Sequence, residues 1–544
     1  MLVKLHEFVT FNNLACLFGA LGLFRLLRWS YLPLRRQFSP LRHLPGPKNK
    51  SVLFGNMREI FASQNLVVHE KWAQEHGPTL AYRGILSSYR LFTLDTRALS
   101  FILSDSDAFP KPKNLGPDAQ DPTEFLGLFF AEGDVHKRQR RIMNPAFGLL
   151  QIRELLPVFW QKSIQLKNMW LDTIKLHPDG KPVINVLPWF TRATLDMIGA
   201  AGFDYHFNSL ENEDQDELSV AFKKAFQSGQ TIGVMAVLQN IFPILRIFAS
   251  DERSRGQAEA SKTMRRIGEK LIGDKQAALS QELKTGATAQ GRDLLTLLIK
   301  SNMAYENDGH RMSQDEVLGQ ISTFLVAGHE TTGTSATWAL YALSRHPDVQ
   351  QKLRQELLES GLGDEPDTTD LDKLPYLDAV VRESLRLYPA VPAVLREAAH
   401  KVSIPTSHAY KDRQGHETNS ITLQKGDGIL IPILALNRDR NIWGEDAMEF
   451  RPERWDSLPE AVKAMPGVWG HLMTFSHGAR SCIGFRFAVI EIKSLIYTLV
   501  RAIEFDMDPK IEITTQSLSA RPVVASRPKD GNQMPLICKS VSVI

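Results

Sequence analysis

Residues Phe475 to Gly484 read FSHGARSCIG, which places Phe, Gly, Arg, Cys and Gly at the spacing F-x-x-G-x-R-x-C-x-G. Such a set can hold a metal through sulfur. A thiolate is a strong electron donor to iron. A free thiol is largely protonated at neutral pH, so Cys482 needs Arg480 and nearby backbone N–H donors to hold its charge. Gly478 and Gly484 let the backbone turn tightly and approach a flat ligand, and Phe475 can cover the sulfur and tune the metal's potential. Five specified residues coincide by chance in roughly one chain of this length in several thousand, so the match is strong. Cys16 and Cys538 have no such surroundings. Three widely spaced cysteines indicate neither a disulfide framework nor a zinc site, and fit a reducing compartment.

A second group able to do chemistry is Ala327-Gly328-His329-Glu330-Thr331-Thr332. Small residues at Ala327 and Gly328 let a flat group come near the backbone. The Thr331 hydroxyl can donate to dioxygen, and Glu330 can pass protons through water. On these residues alone, that reading stands level with a buried helix whose threonine hydroxyls bond back to the preceding turn.

The element carrying this group is a long helix. Ser313 and Glu316 have capping-box spacing and Pro347 follows the last turn, which predicts one helix over Ser313–Arg345. Gln320, Phe324, Ala327 and Thr331 then share one face. Elsewhere, helical patterns run from Asn56 to Gly77 and dominate from Gly133 to about Tyr388, with polar breaks at Asn208 to Gln215 and Lys284 to Gly291. Short β-like stretches lie at Thr79 to Tyr82, Tyr89 to Leu94 and near Val394, Ile421 and Ile429, and a helix follows Gly484. Ala108 to Phe125 reads as a loop. The fold class is mainly α with small peripheral β-sheets.

The cysteine loop and the Ala-Gly-His-Glu-Thr-Thr segment together resemble the cytochrome P-450 family, from about Leu44 to the carboxyl terminus. The resemblance implies a cytochrome P-450 fold, haem b as cofactor, Cys482 as the iron's protein ligand and Arg480 as a partner of a haem propionate. It implies oxygen binding at Ala327, Gly328, Glu330 and Thr331. Glu383-Ser384-Leu385-Arg386 and Phe450-Arg451-Pro452-Glu453-Arg454-Trp455 resemble segments whose Glu383–Arg386–Arg454 network locks the cysteine loop. Arg396, seven residues after Pro389, matches a propionate-binding position. Gly133 to Arg141 resembles a helix that usually reads W-x-x-x-R; here His136 replaces the tryptophan and Arg140 keeps the arginine position, and His can still donate to a carboxylate.

Composition is that of a globular protein: 544 residues, 43% hydrophobic and 23% charged, with a formal net charge of +3. No basic run interleaved with aromatics stands out beyond the first fifty residues, so nucleic-acid binding has no support. Residues Phe8 to Leu27 are mostly apolar and about as long as a bilayer core of roughly 30 Å requires. Arg28, Arg35, Arg36 and Arg42 follow, so the positive-inside rule keeps the bulk of the chain cytoplasmic. The alternatives are a cleaved signal peptide, against which the missing short basic leader and small-x-small cleavage site argue, and a buried amphipathic helix. The expected organisation is a membrane anchor (1–30), a basic, proline-rich linker (31–50) and a catalytic domain (51–544), on the endoplasmic reticulum membrane. Ile232 to Phe248 can dip into a membrane surface or pack in the core.

No flavin or nicotinamide fingerprint is present, so electrons must come from a partner. The resemblance implies an NADPH–cytochrome P-450 reductase, with cytochrome b5 as a second donor, and Lys137, Arg138 and Arg141 are candidates for the contact. It implies a monooxygenase acting on a lipophilic small molecule, a terpenoid or other secondary metabolite. The substrate is expected near Asp107 to Phe130, Phe226 to Val237, Gln320 to Thr323 and Val391 to Val394. Competing readings are a haem-thiolate isomerase or dehydratase, a non-enzymatic haem protein, and a membrane scaffold without cofactor.

Overall fold

The computed structural model describes residues 38–112, 127–213, 215–230, 251–285, 291–305, 310–515 and 520–541. Its contacts form two units, residues 1–110 with 393–432, and residues 111–392 with 433–544.

The smaller unit is built around strands. Two helices, α1 (Met57–Ala62) and α2 (Val67–His76), stand where one was expected; the chain breaks at Leu66, whose φ is 56°. Strands β1 (Thr79–Arg83) and β2 (Tyr89–Thr93) pair antiparallel, and α3 (Thr96–Ser104) starts where the Asp95 side chain accepts from the Ala98 N–H. Later come β3 (Val394–Glu397), β4 (Val402–Lys411), β5 (Glu417–Leu423) and β6 (Gly428–Ile431). They give a four-stranded sheet in the order β1-β2-β6-β3, with β2 and β6 parallel, and a separate β4-β5 ladder. Leu80, Tyr82, Leu91 and Phe92 are buried; Tyr82 and Phe92 pack on His69 of α2, and Tyr82 also on Trp72. The segment Leu44-Pro45-Gly46-Pro47 lies on β1, the Ala81 N–H donating to the Pro45 carbonyl at 2.9 Å. A Cβ on Gly46 would fall 2.1 Å from the Ala81 carbonyl oxygen, so only glycine fits.

The larger unit is helical. In chain order it contains α4 (Gly133–Met143), α5 (Leu149–Leu176), α6 (Val186–Phe203), α7 (Glu217–Gln230), α8 (Asp251–Thr285), α9 (Leu294–Ala304), α10 (Gln314–Arg345), α11 (Pro347–Glu359), α12 (Pro375–Leu387) and α13 (Phe485–Ala502). Strand β10 (Pro535–Ser540) pairs antiparallel with the short strand Val183–Asn185 on one side and with β7 (Ile503–Asp506) on the other, and β8 (Ile513–Thr515) pairs with β9 (Pro522–Val524). The core lies between α5, α6, α10 and α13, where Trp160, Trp170, Phe190 and Tyr497 are fully buried. Helix α10 begins with the expected capping box: the Ser313 hydroxyl accepts from the Glu316 N–H at 3.2 Å, and the Glu316 carboxylate from the Ser313 N–H at 2.8 Å.

Among the described residues no helix is long and apolar enough to cross a membrane. The anchor expected over 1–30, the first part of the linker and Ile232 to Phe248 lie outside the described residues.

Candidate functional site

The cysteine loop is shaped by its own hydrogen bonds. The Cys482 N–H donates to the Phe475 carbonyl at 2.8 Å and the Ser481 N–H to the Gly478 carbonyl at 3.0 Å. Gly478 has φ 70°, a left-handed conformation that explains its residue type. Gly484 is different: its φ is −91°, and an added Cβ would meet the Phe147 ring at an ordinary 3.6 Å. Ile483 and Gly484 form a turn from which α13 starts directly, but its backbone is not left-handed and does not itself require glycine.

Cys482 is exposed in surface terms, yet protein encloses it closely enough that burial pushes the thiol pKa up. Both hold when a side chain opens into a recess rather than onto the outer surface. The Gly484 N–H and the Arg140 guanidinium pull the pKa back down, so the cation acting on the sulfur is Arg140, where Arg480 had been expected. Phe475 is buried, edge-on to Trp469 at 5.7 Å and tilted against Phe485 at 6.1 Å.

Helix α4 brings the second set. His136 is buried, and Arg140 lies one turn on along the same face. Arg140 donates to the Ser481 carbonyl at 2.6 Å and to the Asn144 side chain at 3.0 Å. Burial lowers its pKa, Cys482 raises it and Arg480 lowers it again, so both guanidiniums stand close to the cysteine loop. Arg480 spans back to the start of α4, donating to the Ala131 carbonyl and to the Glu132 carboxylate, each at 2.5 Å. Glu132 had carried no signal in the sequence. Arg138, a candidate for partner contact, is engaged elsewhere: it donates to the Arg311 carbonyl at 2.9 Å and to Glu316 at 2.5 Å, fastening α4 to the start of α10. Lys137 and Arg141 are exposed.

On α10, Ala327 is exposed although it sits in the middle of a 32-residue helix, and Thr331 one turn later is half-buried. An open strip therefore runs along the centre of this helix. The Thr331 hydroxyl donates back to the Ala327 carbonyl at 2.6 Å, so the back-bonded geometry weighed from the sequence does occur, on the open strip. Gly328 points elsewhere. A Cβ there would lie 3.0 Å from Ile198 of α6, so this glycine lets two helices approach rather than admitting a flat cofactor. Gln320 and Phe324, expected on the open face, are buried; Gln320 accepts from the Leu128 N–H at 2.9 Å and donates to Gln139 at 3.3 Å. Glu330 forms an ion pair with Arg521 at 2.6 Å, a partner no sequence pattern had indicated.

The Glu383–Arg386–Arg454 cluster is fully buried. Arg386 donates to both Glu383 oxygens, at 2.9 and 2.8 Å, and to the carbonyls of Asn437, Ala447 and Glu449 at 2.8, 2.6 and 3.1 Å. Arg454 reaches Glu383 at 3.3 Å and Asp446 at 2.6 Å. The Asn437 side chain donates to the Thr474 hydroxyl at 2.9 Å, and Thr474 donates to the Leu385 carbonyl at 2.8 Å. The cluster thus reaches the residue preceding Phe475. Arg396 lies in the smaller unit, on β3, where it is buried and donates to the Leu395 carbonyl at 2.8 Å. Of the expected substrate segments, 113–126 and 231–237 lie outside the described residues.

These residues fit a haem. Among the described residues no group of three or more His, Cys, Asp or Glu side chains could cage a bare metal ion, whereas one recessed thiol suits a metal whose other ligands are its own. Two guanidiniums with one carboxylate, Glu132, leave an excess of positive charge beside the sulfur, which suits a cofactor bearing acidic groups.

Comparison with known proteins agrees. The family model for cytochrome P450 matches residues 45–532. The chain is 45% identical over 514 residues to a cytochrome P450 monooxygenase of Postia placenta, covering 92% of this chain and 93% of that one. It is 34% identical over 519 residues to a ganoderic acid synthetase of Ganoderma lucidum (91% and 93%), and 36% identical over 527 residues to a cytochrome P450 monooxygenase of Ampulloclitocybe clavipes (93% and 94%). The chain belongs to the cytochrome P450 family, as a monooxygenase. The family binds haem.

Proposed function

We propose that this protein is a haem-b monooxygenase that inserts one oxygen atom of O2 into a C–H bond of a lipophilic small molecule, a terpenoid or other secondary metabolite. Its electrons come from an NADPH–cytochrome P450 reductase, with cytochrome b5 as a second donor. We place it on the endoplasmic reticulum membrane, held by its amino-terminal segment with the catalytic domain in the cytoplasm. The observation that carries the reading is the recessed thiol of Cys482 with Arg140 beside it. The lipophilic substrate class is supported by the relatives, one of which is named for ganoderic acid.

When bound, the haem supplies the iron that binds and activates dioxygen. The protein's own part is division of labour. Cys482 offers sulfur to the metal, with the Gly484 N–H and Arg140 favouring its charged form. Arg140, Arg480 and His136 would hold the acidic edge of the cofactor. Ala327 leaves the α10 strip thin enough for a small molecule to lie against it. Thr331 can turn its hydroxyl from the Ala327 carbonyl toward that strip, exchanging one acceptor for another. Glu330, in the adjoining position, relays protons to Thr331 through water. Phe475 shields the sulfur, and the buried arginine cluster keeps the loop in place.

The test is the carbon monoxide difference spectrum of the reduced protein, wild type against Cys482→Ala. We expect the signature of a thiolate-bound haem in the first and its loss in the second. A wild-type protein without haem, or an unchanged spectrum in the variant, refutes the reading. Co-expression with a reductase and product profiling by mass spectrometry then identifies the substrate.

A further inference from the structure

We propose that Arg521 is a positioning residue for Glu330, and that this ion pair governs how protons enter the α10 strip. The inference rests on the reading of Glu330 as a proton relay. Its basis is the way Arg521 is held. Glu330 and Arg521 lie 191 positions apart, yet the guanidinium meets the carboxylate at 2.6 Å.

The backbone around Arg521 is held on both sides. The preceding carbonyl, Ala520, accepts from the buried Trp338 indole N–H at 2.7 Å, and Trp338 belongs to α10, eight residues after Glu330. Trp338 is itself immobilised by stacking on Tyr388, with ring centroids 4.8 Å apart and planes within 1°. The following carbonyl, Pro522, accepts from the Gln533 N–H at 2.9 Å, and Pro522 pairs with Thr515 in the β8-β9 ladder. Proline at 522 also restricts the backbone of Arg521 to extended conformations. The guanidinium is thus delivered to Glu330 by a framework fixed to α10 itself, two turns further along.

Other charges bear on the same turn. His329 is buried, which lowers its pKa and keeps it neutral; Arg521 and Lys223 of α7 lower it further, and Glu330 opposes them. The carboxylate meets the Arg521 guanidinium at β9's leading edge, while Lys223 of α7 acts on the neighbouring His329. A flexible glutamate at a half-buried position samples several rotamers, whereas one gripped by a fixed guanidinium keeps one. Proton passage is balanced: the Glu330 carboxylate takes one proton from water, loosening its hold on Arg521, and gives one on toward Thr331, after which the pair closes again.

The test uses dioxygen as the probe and needs no substrate. Full-length, haem-loaded protein is driven by NADPH and reductase, and the hydrogen peroxide released per NADPH consumed and the deuterium solvent isotope effect are measured. Four proteins are compared: wild type, Glu330→Gln, Arg521→Gln and the double variant. Both single variants should shift the peroxide ratio in the same direction, by about threefold or more, and the double variant should match Glu330→Gln alone, because groups that act as one unit are non-additive. Arg521→Lys should restore part of the isotope effect. Independently of turnover, hydrogen–deuterium exchange across β9 should rise in both single variants. If Glu330→Gln behaves as wild type, the relay reading falls, and this inference with it. If Glu330→Gln shifts the ratio but Arg521→Gln does not, or if the two effects multiply in the double variant, the inference falls alone. Unchanged exchange in β9 shows that the pair is not formed in solution and also overturns it. Should Arg521→Gln not load haem, Arg521→Lys carries the comparison, and a wild-type isotope effect in it overturns the proposal.

Discussion

Replacing Glu383 by alanine removes the carboxylate shared by two buried guanidiniums. Glu383 and Arg386 are both 0% exposed and Arg454 is 1% exposed. Arg386 would keep its three backbone carbonyl partners but lose both carboxylate bonds, and with them its counter-charge. Arg454 would retain Asp446, which is one-quarter exposed. Trp455 would also lose an acceptor, since its indole N–H donates to Glu383 at 3.2 Å. Removing one partner of such a buried pair costs about 3–5 kcal/mol, which corresponds to roughly a hundred- to several-thousand-fold more unfolded chain. Arg386 bridges Asn437 to α12, and Asn437 bridges to Thr474, so the damage should propagate to the cysteine loop. We expect haem content per chain to collapse and the urea midpoint measured by pulse proteolysis to fall sharply. The exposed pair Lys463–Glu460, at 2.6 Å, is the internal control; Glu460→Ala should leave midpoint and haem content unchanged, because exposed pairs contribute little. If Glu383→Ala keeps its haem and its midpoint as the control does, the argument from buried charge is wrong.

Three further outcomes follow from single contacts. A Cβ on Gly127 would fall 2.0 Å from the Thr323 hydroxyl and 2.4 Å from the Gly319 carbonyl, so Gly127→Ala should destabilise by about 1–3 kcal/mol; denaturant titration checks this, and Thr323→Ala should rescue only part, since the backbone clash remains. Glu491 on α13 is fully buried, and burial raises its pKa well above 4.5, with the Thr332 hydroxyl opposing only in part. Its folded state therefore prefers the proton: its stabilising contribution is complete below pH 4.5 and is lost as pH rises through the folded pKa, so Glu491→Gln should flatten that decline in a urea-midpoint series over pH. His69 in the smaller unit shows the opposite sign. Burial lowers its pKa from 6.5 to about 3, so stability is complete above pH 6.5 and is lost as pH falls toward 3, and His69→Phe should remove that acid-side slope.

The amino-acid sequence by itself determined the parts whose chemistry is local. The cysteine loop was legible because Phe475, Gly478, Arg480 and Cys482 act within one turn of chain, and the capping box at Ser313 because its two hydrogen bonds join residues three apart. The helix from Ser313 and the strands near Val394, Ile421 and Ile429 followed from periodicity, which backbone geometry imposes directly. The Glu383–Arg386 pair was legible as an i,i+3 spacing, although only resemblance connected Arg454 to it.

What only the tertiary structure decided is which distant groups meet. Arg521 on Glu330, Arg480 on Glu132 and Arg138 on Glu316 join charges from 178 to 348 residues apart, and a lone charge in a loop or on a helix carries no mark of its partner. Tertiary contacts also reassigned residue types. Gly328 answers to Ile198 on a neighbouring helix, and Gln320, read as facing a ligand, is buried beside Gln139. Helical spacing tells which residues share a face; what that face meets depends on the packing of other helices against it.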